Sequence, residues 1–110
     1  MNFSNITEFE KEFGRLFKKY RTLDEDLEKF RKILLVSPTG VGKNFVVIHS
    51  SKSLKIVKAR MACRALRDRS LRIIYACFEQ NSRIEFIELY FKGDKENEDR
   101  GRIKEYLKGE

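Results

Sequence analysis

The first third of the chain carries apolar side chains at the three- and four-residue spacing of amphipathic helices. In the first such segment they are Phe9, Phe13, Leu16, Phe17 and Tyr20, and in the second they are Leu23, Leu27, Phe30 and Leu34. Thr7 and Thr22 each stand three residues before a glutamate, so the sequence predicts a capping box at the start of both helices. Pro38 predicts the end of the second helix.

Segments with the alternating apolar pattern of β-strands lie on both sides of this helical pair. Residues 2–6 predict a short edge strand, and residues 45–49, 54–64, 71–78 and 83–91 predict four more strands. Ile103, Tyr106 and Leu107 indicate a short C-terminal helix, whose first half Gly101 weakens. Helices followed by a run of hairpin-connected strands are typical of an α+β fold with an antiparallel sheet, and 110 residues are enough for one domain, residues 1–110.

The net charge of +7 is concentrated in one segment. Residues 52–72 contain eight basic side chains and one acid, Asp68, whereas the rest of the chain carries 16 of each sign and sums to zero. The eight are Lys52, Lys55, Lys58, Arg60, Arg64, Arg67, Arg69 and Arg72. Such a surface favours a polyanionic partner, RNA, DNA or an acidic protein segment. A solvated sheet face whose charges deter edge pairing is the alternative.

Strand alternation divides the basic segment into two faces. Lys58, Arg60 and Arg64 are expected on one face, and Val57, Ala59, Met61 and Cys63 on the core face. A turn centred on residues 67–69 brings Arg72 close to Arg64 on the basic face, and a register slip of one residue sends Arg72 to the other face. Several cations on one face predict salt-sensitive phosphate binding.

Other kinds of site find little support in the sequence. Cys63 and Cys77 lie in apolar strands and are interpreted as core residues of a protein in the reducing cytoplasm. With His49 as the only histidine, neither a metal site nor a histidine-dependent triad is expected. Residues 37–43 resemble a phosphate-binding P-loop but lack its first glycine, and a strand pattern follows where a helix is required. No signal peptide and no membrane-spanning segment are expected, so the predicted location is the cytoplasm.

Three motifs follow one another in the second half of the chain. They are Lys58-x-Arg60, Leu71-Arg72-x-x-Tyr75, and the alternating series Ile84, Phe86, Glu88, Tyr90 and Lys92 that leads to Lys95. With the helical hairpin before them, these motifs resemble the RelE/ParE toxin superfamily of bacterial and archaeal toxin–antitoxin systems, over nearly the whole chain. The resemblance implies two N-terminal helices packed on a small, mostly antiparallel curved β-sheet, with a short C-terminal helix.

RelE-like members of that superfamily cut mRNA in the ribosomal A site without a metal ion, through attack of a 2′-hydroxyl on the adjacent phosphate. By position, the resemblance implies catalytic roles for Lys58, Arg60 and Arg72 at the phosphate. Further RNA or phosphate contacts are expected from Lys55, Arg64, Arg67, Arg69, Lys92 and Lys95. The expected partners are a cognate antitoxin, mRNA and the ribosome, with no membrane, metal or small-molecule cofactor.

The chain departs from the family pattern after the last strand. Several RelE-like toxins have a tyrosine in this C-terminal stretch, where this chain has the acidic segment 96–100, and Tyr106 is expected to pack within the last helix. The general base therefore stays open between Lys58, with a pKa depressed by neighbouring cations, and His49. A ParE-like toxin acting on DNA gyrase, or a catalytically inactive member that binds RNA or protein, are the alternative functions.

Overall fold

The computed structural model describes all 110 residues, in eight main elements and two short 3₁₀ turns. The elements are β1 (Asn2–Asn5), α1 (Thr7–Lys19), α2 (Leu23–Val36), β2 (Phe45–Ser50), β3 (Lys55–Ala62), β4 (Ser70–Phe78), β5 (Arg83–Phe91) and α3 (Arg100–Lys108). The 3₁₀ turns cover Arg64–Leu66 and Glu79–Asn81. No helix is both long enough and apolar enough to cross a membrane.

The strands form one sheet in the order β1-β5-β4-β3-β2. All neighbours are antiparallel except β1, which lies parallel to β5 at the edge. The predicted α+β class is confirmed, and so is the edge position of the first strand. Residues 63–69, which separate β3 from β4, contain a 3₁₀ turn followed by Arg67 with a positive φ of 60°.

The two N-terminal helices cover one side of the sheet, called here the helix face. The core on this side consists of side chains of α1 and α2 packed against the strand side chains that point toward the two helices. Val57, Ala59, Met61 and Cys63 are all buried there, which confirms the core face predicted from strand alternation. Tyr75 belongs to the same core, and its hydroxyl donates a hydrogen bond to the Pro38 carbonyl at 2.8 Å. This tyrosine of the Leu71–Tyr75 motif therefore holds the loop after α2.

The C-terminal helix covers only part of the opposite side, called here the α3 face. Ile103 packs against the apolar half of that side. The strand residues in this smaller core are Leu54, Ile56, Ile74, Ala76, Phe78 and Ile87. Tyr106 lies at its border and donates a hydrogen bond to Glu85 at 2.7 Å, so it packs with the last helix as expected. The remaining half of this side, around Lys58, Arg60 and Arg72, is not covered by a helix.

The predicted capping boxes are wrong at both helix starts. Ile6 and Thr22 are the N-cap residues, and neither has a side-chain cap. The Thr22 hydroxyl instead donates to Asp26 at 2.8 Å and accepts from the Ala65 N–H at 3.1 Å. The hydroxyl that could cap the helix is used for a tertiary contact with the turn after β3, so the local cap does not form. Gly101 lies inside α3, which Asp99 caps through the Arg102 N–H at 3.0 Å.

The glycine-containing loop before β2 is a turn and not a phosphate cradle. Gly40 has φ +75°, and a Cβ at this position would lie 2.0 Å from the Phe45 ring. The loop leads into the strand β2, whereas a P-loop leads directly into a helix whose N-terminus binds the phosphate. The strand that the sequence predicts after this loop is confirmed.

Candidate nucleic-acid interface

Arg60 and Arg72 lie directly opposite each other in the β3–β4 ladder. The predicted basic side of the hairpin therefore includes Arg72, but its partner is Arg60 and not Arg64. Two guanidinium groups at this spacing repel, and burial together with the Arg60 charge lowers the pKa of Arg72. Arginine keeps its proton at neutral pH nonetheless. The Arg60–Arg72 pair therefore places two positive charges side by side on the sheet.

Two adjoining clefts open onto this pair, with volumes of about 470 and 310 Å³. Arg60, Arg72 and Lys92 line both clefts. The basic side chains of the two clefts, called here the basic face, are Lys43, Lys58, Arg60, Arg69, Arg72 and Lys92. They face two acids, Asp68 and Glu98, so the formal charge is six minus two, or +4. A groove with this excess of cations attracts a phosphodiester backbone.

Lys58 does not have the properties of a base. Its ammonium donates a hydrogen bond to Glu98 at 2.8 Å, and this contact raises the pKa of Lys58. The sequence-based hypothesis of a depressed pKa is wrong, because the nearest charge is a carboxylate from the C-terminal segment and not another cation. At neutral pH Lys58 is a charged donor.

A buried glutamate holds the segment that carries Glu98. Glu88 on β5 is fully buried, accepts from the Asp99 N–H at 2.8 Å and forms an ion pair with Lys95. These two contacts attach both ends of residues 95–99 to the sheet. The ammonium of Lys95, a predicted RNA contact, is therefore already paired with the internal carboxylate of Glu88.

Besides Lys95, three more predicted RNA contacts lie outside the basic face. Arg64 is in the 3₁₀ turn, where its guanidinium contacts Glu25 of α2 at 3.0 Å and its N–H donates to Asp26, so it lies toward the helix face. This placement contradicts the predicted face, because the chain leaves the strand conformation after Ala62. Lys55 pairs with Glu79 at 2.9 Å at the far end of β3, and Arg67 is exposed in the turn. Arg69 and Lys92 do line the basic face.

His49, the other candidate base, is half-buried on β2. It lines a different cleft of about 390 Å³ with Ile48, Glu98 and Arg100. The structure does not bring His49 together with Arg60 and Arg72. No group of three or more histidine, cysteine, aspartate or glutamate side chains is arranged to hold a metal ion.

Sequence reasoning missed Lys43, Tyr90 and Glu98 as members or neighbours of the site. The Asn44 carbonyl accepts from the Arg60 N–H at 2.9 Å, which brings the loop before β2 beside the basic hairpin. Tyr90 lies opposite Arg72 in the β4–β5 ladder. The alternation of Tyr90 with Glu88 and Lys92 was visible in the sequence. The contact of Glu98 with Lys58 was not, because 40 residues separate the two along the chain.

We expect Glu98→Gln to increase RNA affinity about fivefold, or roughly 1 kcal/mol, because Lys58 loses its internal carboxylate and the basic face loses one negative charge. Glu96→Gln is the matched control, since it removes the same charge from an exposed side chain of the same segment. Fluorescence anisotropy with a single-stranded RNA oligonucleotide measures both. Equal affinities of the two variants would contradict the importance of the Lys58–Glu98 contact.

The same contact predicts a specific acid titration. The hydrogen bond from Lys58 lowers the pKa of Glu98 below its usual value of 4.5. The contact therefore contributes stability above that value, and this contribution is lost as the pH falls through the lower folded-state pKa. In Lys58→Met, carboxyl-detected NMR should find the Glu98 midpoint shifted upward. An unchanged midpoint would show that Lys58 does not hold the carboxylate in solution.

Comparison with models of known protein families and with curated protein sequences gave no match. Among solved structures, a chain in the crystal structure of the archaeal RelE–RelB complex from Pyrococcus horikoshii OT3 is similar. The TM-score is 0.62 at 22% identity, over 84% of this chain and 94% of that chain. The chain has a RelE-like fold. This likeness confirms the fold that the sequence motifs implied.

Proposed function

We propose that the protein is the toxin of a type II toxin–antitoxin module, and that it cleaves mRNA on the ribosome without a metal ion, in the cytoplasm. The observation that carries this proposal is the Arg60–Arg72 pair, with Lys58 and Lys92 beside it, in open clefts on the uncovered half of the α3 face. The RelE-like fold supports the toxin assignment. The chemistry of the clefts supports RNA as the target, since fold alone does not specify activity.

In this reaction the 2′-oxygen bonds to phosphorus, the bond to the 5′-oxygen of the next nucleotide breaks, and a 2′,3′-cyclic phosphate and a 5′-hydroxyl result. Arg60 and Arg72 are suited to stabilise the extra negative charge of the phosphorane. Lys58 keeps its proton and is suited to give it to the leaving 5′-oxygen once Glu98 has moved away. None of these three charged groups can accept the 2′-hydroxyl proton, so this proton passes to solvent water, and Lys58 regains its own proton from water after cleavage.

We further propose a cognate antitoxin that covers the basic face. The similar archaeal structure is a RelE–RelB complex, and the excess of cations on this face suits a segment with acidic side chains. Such a segment would occupy the clefts that RNA otherwise enters.

One observation favours a second candidate, a member that binds its target without cleaving RNA, including a ParE-like inhibitor of DNA gyrase. Among the groups nearest Arg60 and Arg72, contact with Glu98 raises the pKa of Lys58 and burial raises the pKa of Tyr90. Both groups are therefore proton donors at neutral pH. A protein that only binds needs no general base.

Controlled expression with short metabolic labelling separates these functions. For the ribonuclease we expect growth arrest with an immediate fall in amino-acid incorporation, while thymidine incorporation continues. Co-expression of the reading frame adjacent to the gene should restore growth. Arrest with an SOS response and normal amino-acid incorporation would instead support the gyrase inhibitor, and normal growth would exclude a toxin.

A further inference from the structure

Tyr90 has a polar group with no partner inside the protein. It lies on β5 opposite Arg72 and is 3% exposed. Its hydroxyl is buried and makes no hydrogen bond. Buried hydroxyl groups in folded proteins are almost always hydrogen-bonded, so an unpartnered one requires an explanation. One explanation is that the hydroxyl binds a ligand of the adjoining basic face.

Charged groups of both signs surround Tyr90, with Lys58 and Lys95 on one side of the balance and Glu88 and Glu98 on the other. Burial raises the pKa of Tyr90, and the Lys58 ammonium opposes that rise through its charge and its approach to the hydroxyl oxygen. The approach falls short of a normal hydrogen bond, and an ammonium cannot accept the hydroxyl proton, so the donor side of the hydroxyl has no partner. The Lys95 ammonium lies 5.2 Å from the centre of the Tyr90 ring. The phenol therefore keeps its proton at neutral pH, and what it can offer a ligand is a donor directed to an anionic oxygen.

Glu98 occupies the place where such an anion would bind. Its carboxylate contacts Lys58 at 2.8 Å, its side chain is 10% exposed, and its charge acts on Tyr90. A carboxylate and a phosphate present similar acceptor oxygens to an ammonium group. A phosphate that displaces Glu98 from Lys58 therefore comes next to the Tyr90 hydroxyl as well.

We propose that Tyr90 is an RNA-binding residue of the basic face, whose hydroxyl donates a hydrogen bond to the phosphate that displaces Glu98 from Lys58. This inference rests on the proposed function only in taking RNA as the ligand. Neither the family motifs nor strand alternation indicated this role for Tyr90, because the evidence for it is the missing partner of a buried atom.

Tyr90→Phe and Tyr106→Phe form a matched pair for the test. Each variant removes one hydroxyl from a largely buried ring, but the Tyr106 hydroxyl already donates to Glu85, away from the basic face. A single-stranded RNA oligonucleotide with 2′-O-methyl sugars, which cannot be cleaved, serves as the probe. Binding is measured by anisotropy at low ionic strength, and stability by thermal unfolding.

For Tyr90→Phe we expect affinity to fall roughly tenfold or more with no loss in melting temperature, since the hydroxyl has no partner in the free protein. For Tyr106→Phe we expect a lower melting temperature and affinity within twofold of the wild type.

Equal affinities of Tyr90→Phe and the wild type would overturn the inference and leave RNA binding intact. A lower melting temperature of Tyr90→Phe would also overturn it, because the hydroxyl would then have a partner within the fold. A wild-type protein that binds no RNA would overturn the proposed function, and the ligand assigned to Tyr90 with it.

Discussion

Replacing Arg72 with glutamine should lower the rate of mRNA cleavage about 10²–10³-fold, the usual cost of removing one group that stabilises charge in a transition state. Arg72 is central to the basic face because it lines both clefts and lies opposite Arg60. Its guanidinium donates to Ser70 on its own strand, at 3.0 Å to the hydroxyl, and has no carboxylate partner. The group is thus free to bind a phosphate.

The same substitution should not destabilise the fold. Burial and the Arg60 charge both lower the pKa of Arg72, which means that its positive charge is unfavourable in the folded protein. Glutamine removes this charge and keeps a polar side chain. Thermal unfolding should give a melting temperature equal to or above that of the wild type, so a loss of cleavage cannot be attributed to unfolding.

Arg64→Gln is the control for charge alone. Arg64 belongs to the same basic segment, but its guanidinium is 62% exposed and contacts Glu25 near the start of α2. We expect RNA binding and cleavage within twofold of the wild type, because one exposed ion pair contributes little. If the two variants lost activity equally, net charge and not the geometry of the clefts would control the reaction.

The second large effect concerns stability, at the contact between Glu12 of α1 and Arg102 of α3. Two hydrogen bonds of 2.9 Å join the carboxylate to the guanidinium. Both groups also close the free edge of β5, since Glu12 accepts from the Leu89 N–H at 3.1 Å and Arg102 donates to the Ile87 carbonyl at 2.9 Å. The edge is free there because β1 pairs with β5 only as far as Phe86.

Glu12→Leu should lower the free energy of unfolding by about 3 kcal/mol, because it leaves the largely buried Arg102 charge without its close carboxylate partner and the Leu89 N–H without an acceptor. For a domain of this size that is a large share of a total stability of ~5–15 kcal/mol. Urea denaturation measures the change. Glu105→Gln, in the exposed pair with Lys108, is the control and should change stability by less than about 0.5 kcal/mol.

The double variant Glu12→Leu with Arg102→Leu should be more stable than Glu12→Leu alone, since the uncompensated charge is then gone. A loss below about 0.5 kcal/mol in Glu12→Leu, comparable with the exposed-pair control, would show that this contact does not hold α1 and α3 to the sheet edge.

Periodicity predicted most of the fold, because burial on one face controls both helices and strands. The apolar spacing placed α1 and α2, and alternation assigned Val57, Ala59, Met61 and Cys63 to the core. The alternation of even and odd strand positions also placed Arg72 on the basic side. Which arginine lies opposite Arg72 on β3 depended on the geometry of the turn. The 3₁₀ turn and the positive φ of Arg67 shift the pairing to Arg60, and this backbone geometry has no simple sequence signature.

The direction of the pKa shifts in the site could not be predicted from the sequence, because these shifts depend on contacts between residues that are far apart along the chain. Cations near Lys58 in the sequence suggested a depressed pKa, but Glu98 raises that pKa from 40 residues away. Thr22 had the pattern of a helix cap, but its hydroxyl is used by the turn after β3. In both cases the local interpretation was replaced by a tertiary partner, as is common for polar side chains.

The most direct test of the proposed activity is end mapping of a defined mRNA on translating ribosomes, incubated with purified protein that has been stripped of bound metal with EDTA and exchanged into the Mg²⁺ buffer that ribosomes require. We expect new ends within codons at the ribosomal A site, with a 5′-hydroxyl on one fragment and a 2′,3′-cyclic phosphate on the other, and no such ends with Arg72→Gln. An intact mRNA in the presence of folded protein that arrests growth when expressed would contradict the assignment of the basic face to RNA cleavage.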